Sequence, residues 1–214
     1  MTAIEEMQVT TKKETQILEV AERLFATKGF EGASVREIAR DADVSVSMIS
    51  YYFGSKEKLM EAIVLKRLGL VKLRLEHLLE DFRLSSLQKM YAVVDSNVED
   101  IIERQYFQKI MIREQCGKSS TTTARLIEDN RKDIGELMRK LISEGQRKGE
   151  FRGDVDITLL MMTLIGTTNY IMAAEKHYRV EHDMMHTGKQ EFQKFVTLHV
   201  SNYIKDIFRH VLCD

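Results

Sequence analysis

The sequence predicts an all-α chain of about nine helices, with a three-helix helix-turn-helix unit over residues 10–54 and a larger helical part over residues 55–214. Three observations carry this. The 214 residues include no proline, so nothing forces a helix to break. Apolar residues recur at spacings of three and four almost throughout, the period of a helix with one buried face. Three pairs with capping-box spacing, Thr11 with Glu14, Ser34 with Glu37 and Ser85 with Gln88, precede such stripes.

In order along the chain, Ile17, Val20, Ala21, Leu24 and Phe25 form the inner face of a first helix that Gly29 ends. Val35, Ile38 and Ala39 line a short second helix, and "DADVS" breaks the pattern after it. Residues 44–53 are the third element. Gly54 and Ser55 stop it and cap a long helix over about 56–82. Leu87, Met90, Tyr91, Val94, Val98, Ile101 and Ile102 stripe the next, and Tyr106, Phe107, Ile110 and Met111 continue beyond a kink. "GKSSTTT" reads as a loop, then Leu126 to Ile142 stripe a helix stopped by "GEFRGD". The uncharged run 157–174 is an eighth helix. A polar loop near 178–189 precedes a last one, marked by Phe192, Val196, Ile204 and Phe208 among others.

Composition excludes little. The formal charge is −1, and residues 10–60 hold eight basic and eight acidic side chains, so placement of charge rather than amount would have to attract a nucleic acid. Two cysteines make no disulfide framework, and the N-terminus lacks a basic-then-apolar export signal; both fit a cytoplasmic protein. The run 157–174 barely reaches spanning length and is diluted by threonine, asparagine and glycine. It reads as a helix buried on one side by its own core and on the other by a partner subunit, with no membrane expected.

The stretch "VSVSMISYYF", residues 44–53, has the local look of a β-strand, yet no partner strand exists for its backbone groups, so it must be a short helix. It would be the second short helix of a helix-turn-helix, the element that enters the DNA major groove. Val44, Ile49 and Phe53 fall at spacings suited to inner anchors. Ser45, Val46, Ser47, Met48, Ser50, Tyr51 and Tyr52 then face outward. Small serines let a helix seat deeply and their hydroxyls meet base edges or phosphates, while Val46 and Met48 suit thymine methyl groups. The lack of carboxylates fits a surface facing phosphates.

Residues 17–64, with "AERLFATKGF", the helix from Ser34 to Ala39, "DVSVSMISYYF" and "GSKEKL", resemble the N-terminal domain of the TetR family of bacterial transcriptional regulators. The resemblance implies a two-part helical subunit, dimeric through its last two helices, that binds palindromic double-stranded operator DNA and answers a small-molecule effector, without enzymatic activity. By motif position it places Ser34 on phosphate, Ser45, Val46, Ser47, Met48 and Ser50 on bases, and Tyr51, Tyr52 and Lys56 on the DNA backbone. Ser47 stands where the family usually has glycine, and Ile49-Ser50 where a Leu-Tyr pair is frequent. Arg36 is either a further groove contact or a solvated arginine, and Lys12 and Lys13 divide the same way. Repression is the function implied; an architectural DNA-binding protein without effector is the alternative.

"GKSS" lacks the glycine that a phosphate loop needs five residues earlier. His182 and His186, with His177, Glu181 and Asp183 nearby, read as loop residues, and no metal or cofactor is assigned. Glu99 and Asp100 read as surface. Methionines in the second part suit an adaptable pocket, and Phe107, Met111, Met162, Thr163, Asn169 and Tyr170 are the candidates for lining one.

Overall fold

The computed structural model describes residues 12–116 and 122–213, and every described element of regular structure is a helix. The ten are α1 (Lys12–Gly32), α2 (Val35–Asp41), α3 (Val46–Phe53), α4 (Lys56–Glu80), α5 (Ser86–Glu103), α6 (Gln105–Cys116), α7 (Thr122–Arg147), α8 (Ile157–Ala173), α9 (Glu175–Glu181) and α10 (Lys189–Leu212). The one beyond the nine expected is α9, which occupies the start of the expected polar loop and buries none of its side chains. Thr11 and most of the "GKSSTTT" tract lie outside the described residues, although Thr122 and Thr123 already belong to α7.

The described helices gather into two compact units, one from residues 12–69, 106–116 and 122–128, the other from 70–105 and 129–213. The first is centred on Ile17, Leu24, Phe25, Ile38, Ile49 and Leu59. Gly29 takes φ +79°, which a Cβ disfavours, and this ends the regular part of α1 before a last turn to Gly32. A Cβ there would also approach Arg113 Nη1 to 3.2 Å, and that guanidinium donates to the Phe25 carbonyl at 2.9 Å. Glu22 is buried and is matched by Arg67 Nε at 2.8 Å.

The second unit buries Met90, Val94 and Val98 of α5 with Met138 and Leu141 of α7, Leu164 of α8, and Phe192, Val196 and Phe208 of α10. Ser85 and Gln88 close a complete capping box at the start of α5. Lys89 is fully buried, its ammonium donating to the Leu79 carbonyl at 2.8 Å and standing 3.4 Å from both carboxylate oxygens of Glu144. Among the described residues no single helix is long and apolar enough to cross a membrane. Instead α8 buries Leu160, Leu164 and Thr168 and leaves Leu159, Met162, Ile165 and Tyr170 exposed. On α10, Leu198 and Tyr203 are exposed as well.

Candidate nucleic-acid interface

The segment 44–53 is helical from Val46, and local chemistry explains why. Asp43 turns the chain with φ +47°, a conformation that aspartate tolerates better than most residues. The Val44 N–H donates to the Ala39 carbonyl at 3.0 Å, closing the turn after α2. Ser45 is the N-cap, accepting the Met48 N–H at 3.2 Å. At the other end Gly54, at φ +79°, donates its N–H to the Ser50 carbonyl at 2.9 Å. Ser55 Oγ then accepts the Lys58 N–H at 3.2 Å and opens α4.

Tertiary packing fixes which side faces out. Ile49 is 2 % exposed and Phe53 is buried beside it, with Val44 packed against the same core. The opposite face presents Val46, Ser47, Ser50 and Tyr51, the last 84 % exposed. Met48 and Tyr52 are half-buried, and the Tyr51 and Tyr52 rings meet edge to face at 5.4 Å. Ser45 and Ser47 share a hydrogen bond at 2.8 Å, and Ser50 donates to the Val46 carbonyl at 3.3 Å. The hydroxyls are thus held in place while keeping acceptor capacity toward a ligand.

Around α3 the acidic residues of α2 are neutralised. Asp41 pairs with Arg23 at 3.0 Å and Arg40 at 2.9 Å, and those hydrogen bonds, Arg40's first, hold its carboxyl below the ordinary range. Glu37 is taken by Lys28 and by Arg40. Only half of the expected box forms at this helix: Ser34 Oγ accepts the Glu37 N–H at 3.1 Å, while the Glu37 side chain goes to these cations. Ser34 and Arg36 are exposed on α2, and Lys13 reaches the Asp43 carbonyl at 3.4 Å.

Lys56 is placed differently from a simple phosphate contact. Its ammonium donates to the Phe30 carbonyl at 2.9 Å and the Ala33 carbonyl at 3.2 Å, and lies 4.3 Å from the centre of the Phe30 ring. Two of its three protons are engaged in tying the start of α4 to the turn between α1 and α2.

A helix-turn-helix whose second helix exposes a continuous uncharged, hydroxyl-bearing face is now defined. The family model described as bacterial regulatory proteins, tetR family, matches residues 17–63, and a tetracyclin repressor-like C-terminal domain matches residues 83–173. The chain belongs to the TetR family of transcriptional regulators. Within this family it is 57% identical over 58 residues to the probable HTH-type transcriptional regulator YttP of Bacillus subtilis, a match spanning 27% of each chain. It is 25% identical over 154 residues to the HTH-type transcriptional repressor KstR2 of Mycolicibacterium smegmatis, covering 72% of this chain and 74% of that one. Its fold matches the crystal structure of FadR from Bacillus subtilis in complex with stearoyl-CoA with a TM-score of 0.66 at 20% identity, over 92% of this chain and 98% of that one. This TetR-family chain is a DNA-binding transcriptional regulator and not an enzyme.

The residues expected to line one pocket do not group that way. Phe107 and Met111 pack into the core of the first unit, whereas Met162 and Tyr170 stand on α8 in the second, 63 % and 72 % exposed. Thr163 and Asn169 are half-buried, Asn169 donating to the Ile165 carbonyl at 3.0 Å. Helical spacing marks which residues share a face of α8 but not which face turns inward. The second unit does contain a cavity of about 40 Å³, lined by Arg74, Asp100, Met138 and Met161 among others and by none of those six. Asp100, expected at the surface, is largely covered and accepts from Arg74. His182 stacks between Tyr178 at 4.4 Å and His199 at 5.2 Å, and among the described residues no three histidine, cysteine or acidic side chains converge as metal ligands.

Proposed function

We propose that this regulator is a ligand-responsive repressor that binds a palindromic operator as a homodimer in the cytoplasm. The observation that carries the reading is the α3 surface: Ser45, Val46, Ser47, Met48 and Ser50 on one uncharged face, backed by Ile49 and Phe53 in the core. In the major groove these five would meet base edges, with Val46 and Met48 on thymine methyl groups. Ser34, Arg36, Tyr51 and Tyr52 would meet phosphates, and Lys56 would offer its remaining proton to one.

Support for the dimer comes from the apolar faces of α8 and α10. Leu159, Met162, Ile165, Tyr170, Leu198 and Tyr203 are too many large apolar side chains to leave in water, and a self-complementary face of this kind suits a two-fold pair. The two recognition helices would then need a separation of roughly 34 Å to meet successive major grooves. Effector response draws support from the FadR structure, whose ligand is an acyl-CoA, and from the repressor KstR2.

Selection of bound sequences from random DNA tests this directly. The expected product is an inverted repeat with half-sites about one helical turn apart, bound by a dimer in sedimentation. Sequence-independent binding, or binding by a monomer, would refute the reading. An architectural protein with no effector draws its support from the small volume of the cavity in the second unit. A compound that both raises the melting temperature and releases DNA decides against it.

A further inference from the structure

We propose that His182, the C-cap of α9, and His199, on α10, form a two-histidine site for a zinc ion, its remaining positions open to water. The two rings stand 5.2 Å apart, centre to centre, with their planes inclined at 65°. Zinc binds an imidazole nitrogen at about 2.0–2.1 Å, and that nitrogen lies about 1.15 Å from its ring centre, so the ion stands about 3.2 Å from each centre. Two such arms at the tetrahedral angle put the centres about 5.2 Å apart. A square-planar ion such as Cu²⁺ would ask for about 4.5 Å between adjacent rings or about 6.4 Å between opposite ones. The observed spacing is the tetrahedral one.

Orientation follows more easily than position. Turning an imidazole about its Cβ–Cγ bond swings the nitrogens and leaves the ring centre almost in place, and this torsion is soft. The nitrogens are also free to ligate. Neither ring hydrogen-bonds to another described residue, whereas His210, also on α10, has its Nδ1 held 2.7 Å from the Asp206 carbonyl. His199 is exposed and His182 half-buried, so an ion can reach the pair from solvent. Tyr178, 4.4 Å from His182, and Phe195, 5.3 Å from His182 and 5.2 Å from His199, pack around the rings as an apolar shell.

Spacing in the sequence would instead pair His182 with His186, since residues four apart share a face of a helix. No helix carries them. Helix α9 ends at Glu181, and Asp183 takes φ +55°, which turns the chain away before His186 is reached. The fold supplies His199 as the neighbour. Two ligands are fewer than the three of a catalytic zinc centre or the four of a structural one, so the ion should exchange readily, with a Kd on the order of 10 µM. An occupied site joins the end of α9, which buries none of its side chains, to α10, which buries a full stripe. The site lies within one subunit and is independent of the repressor reading above.

The test is titration of the full chain, free of any histidine tag, with Zn²⁺ by calorimetry and with Co²⁺ by visible absorption. One ion should bind per chain, Co²⁺ should give the intense spectrum of tetrahedral coordination, and Zn²⁺ at a hundred times its Kd should raise the melting temperature by about 5–10 °C. His182→Ala and His199→Ala should each lower the affinity at least tenfold and abolish the tetrahedral spectrum. His186→Ala and His210→Ala should bind as the parent does. His199 is exposed, so its variant keeps the fold and decides alone if His182→Ala is unstable. Parent-like zinc affinity in His199→Ala, an octahedral Co²⁺ spectrum, or one ion shared between two chains overturns the proposal.

Discussion

Replacing Ser47 by glutamate separates stability from DNA binding because the two move in opposite directions. Ser47 is exposed and is the second residue of α3 after the N-cap Ser45. A carboxylate in the first turn of a helix is favoured by the helix dipole, by about 0.3–1 kcal/mol. The only bond lost is the 2.8 Å contact between the Ser45 and Ser47 hydroxyls at the surface. The variant should therefore melt at or slightly above the temperature of the parent. In the proposed complex the same charge sits in the groove. At about 7 Å from a phosphate and an effective dielectric constant of about 40, the repulsion is about 1.2 kcal/mol per phosphate. Two or three phosphates give about 2.5–3.5 kcal/mol per half-site, on the order of 70- to 400-fold in affinity, and a dimer meets it twice. Fluorescence anisotropy with the selected operator, paired with urea unfolding, reads both quantities. The defect should shrink as salt is added, since the repulsion is screened. Parent-like binding by a folded Ser47→Glu protein would remove α3 from the groove and refute the assignment.

Lys56→Ala should weaken binding to every DNA sequence and flatten the salt dependence by about one charge per subunit. It should also lose about 1–2 kcal/mol of stability in urea, because the carbonyls of Phe30 and Ala33 lose their donor. Arg67→Met leaves the buried carboxylate of Glu22 unpaired and should cost about 3 kcal/mol at neutral pH, with much of the loss recovered in the double variant that also carries Glu22→Gln. Hydrogen bonding to Lys148, and then the charge of Lys89, hold the Glu144 carboxyl below its ordinary pKa. A depressed folded pKa means stability that is full above about pH 4.3 and is lost as pH falls through the folded value, so Glu144→Gln should flatten the acid limb of the melting-temperature profile between pH 5 and 3 relative to the parent.

The period of apolar residues is enough to read eight of the ten described helices; α3 is read instead by excluding a lone strand, and α9 is not read at all. Helix α9 escaped because "EKHYRVE" buries nothing and so leaves no stripe to see. The recognition helix was legible despite its β-like local sequence, since a lone strand would leave backbone groups unpaired. The roles of single polar residues were less legible. Ser45 reads as one more outward hydroxyl until the turn at Asp43 makes it an N-cap. Lys56 reads as a phosphate contact until the kink at Gly29 brings two carbonyls beneath it. Glu99 and Asp100, adjacent in sequence and pointing different ways on a helix, both read as surface, yet Asp100 is largely covered and reaches Arg74. Pocket residues were the least legible, because methionine at helical spacing marks core and exposed face equally: Met138 is fully buried and Met162 is exposed.

The near-zero charge of residues 10–60 bears on how such a regulator is controlled. Carboxylates on α2 are paired with Arg23, Lys28 and Arg40, which takes three of the eight basic side chains of residues 10–60 out of sequence-independent attraction to phosphates. Phosphate contacts supply most of non-specific affinity, and α3 contributes none through charge. Each half-site is then a modest contributor by itself, and in the proposed dimer tight binding requires both to be met at once. An effector coupling of about 1–3 kcal/mol changes affinity some 5- to 150-fold. Against a strongly basic reader that change would be submerged by non-specific attraction to the rest of the chromosome. Against a neutral reader it is large enough to empty the operator, so the composition that made the DNA partner hard to detect from the sequence is also what makes its release inexpensive.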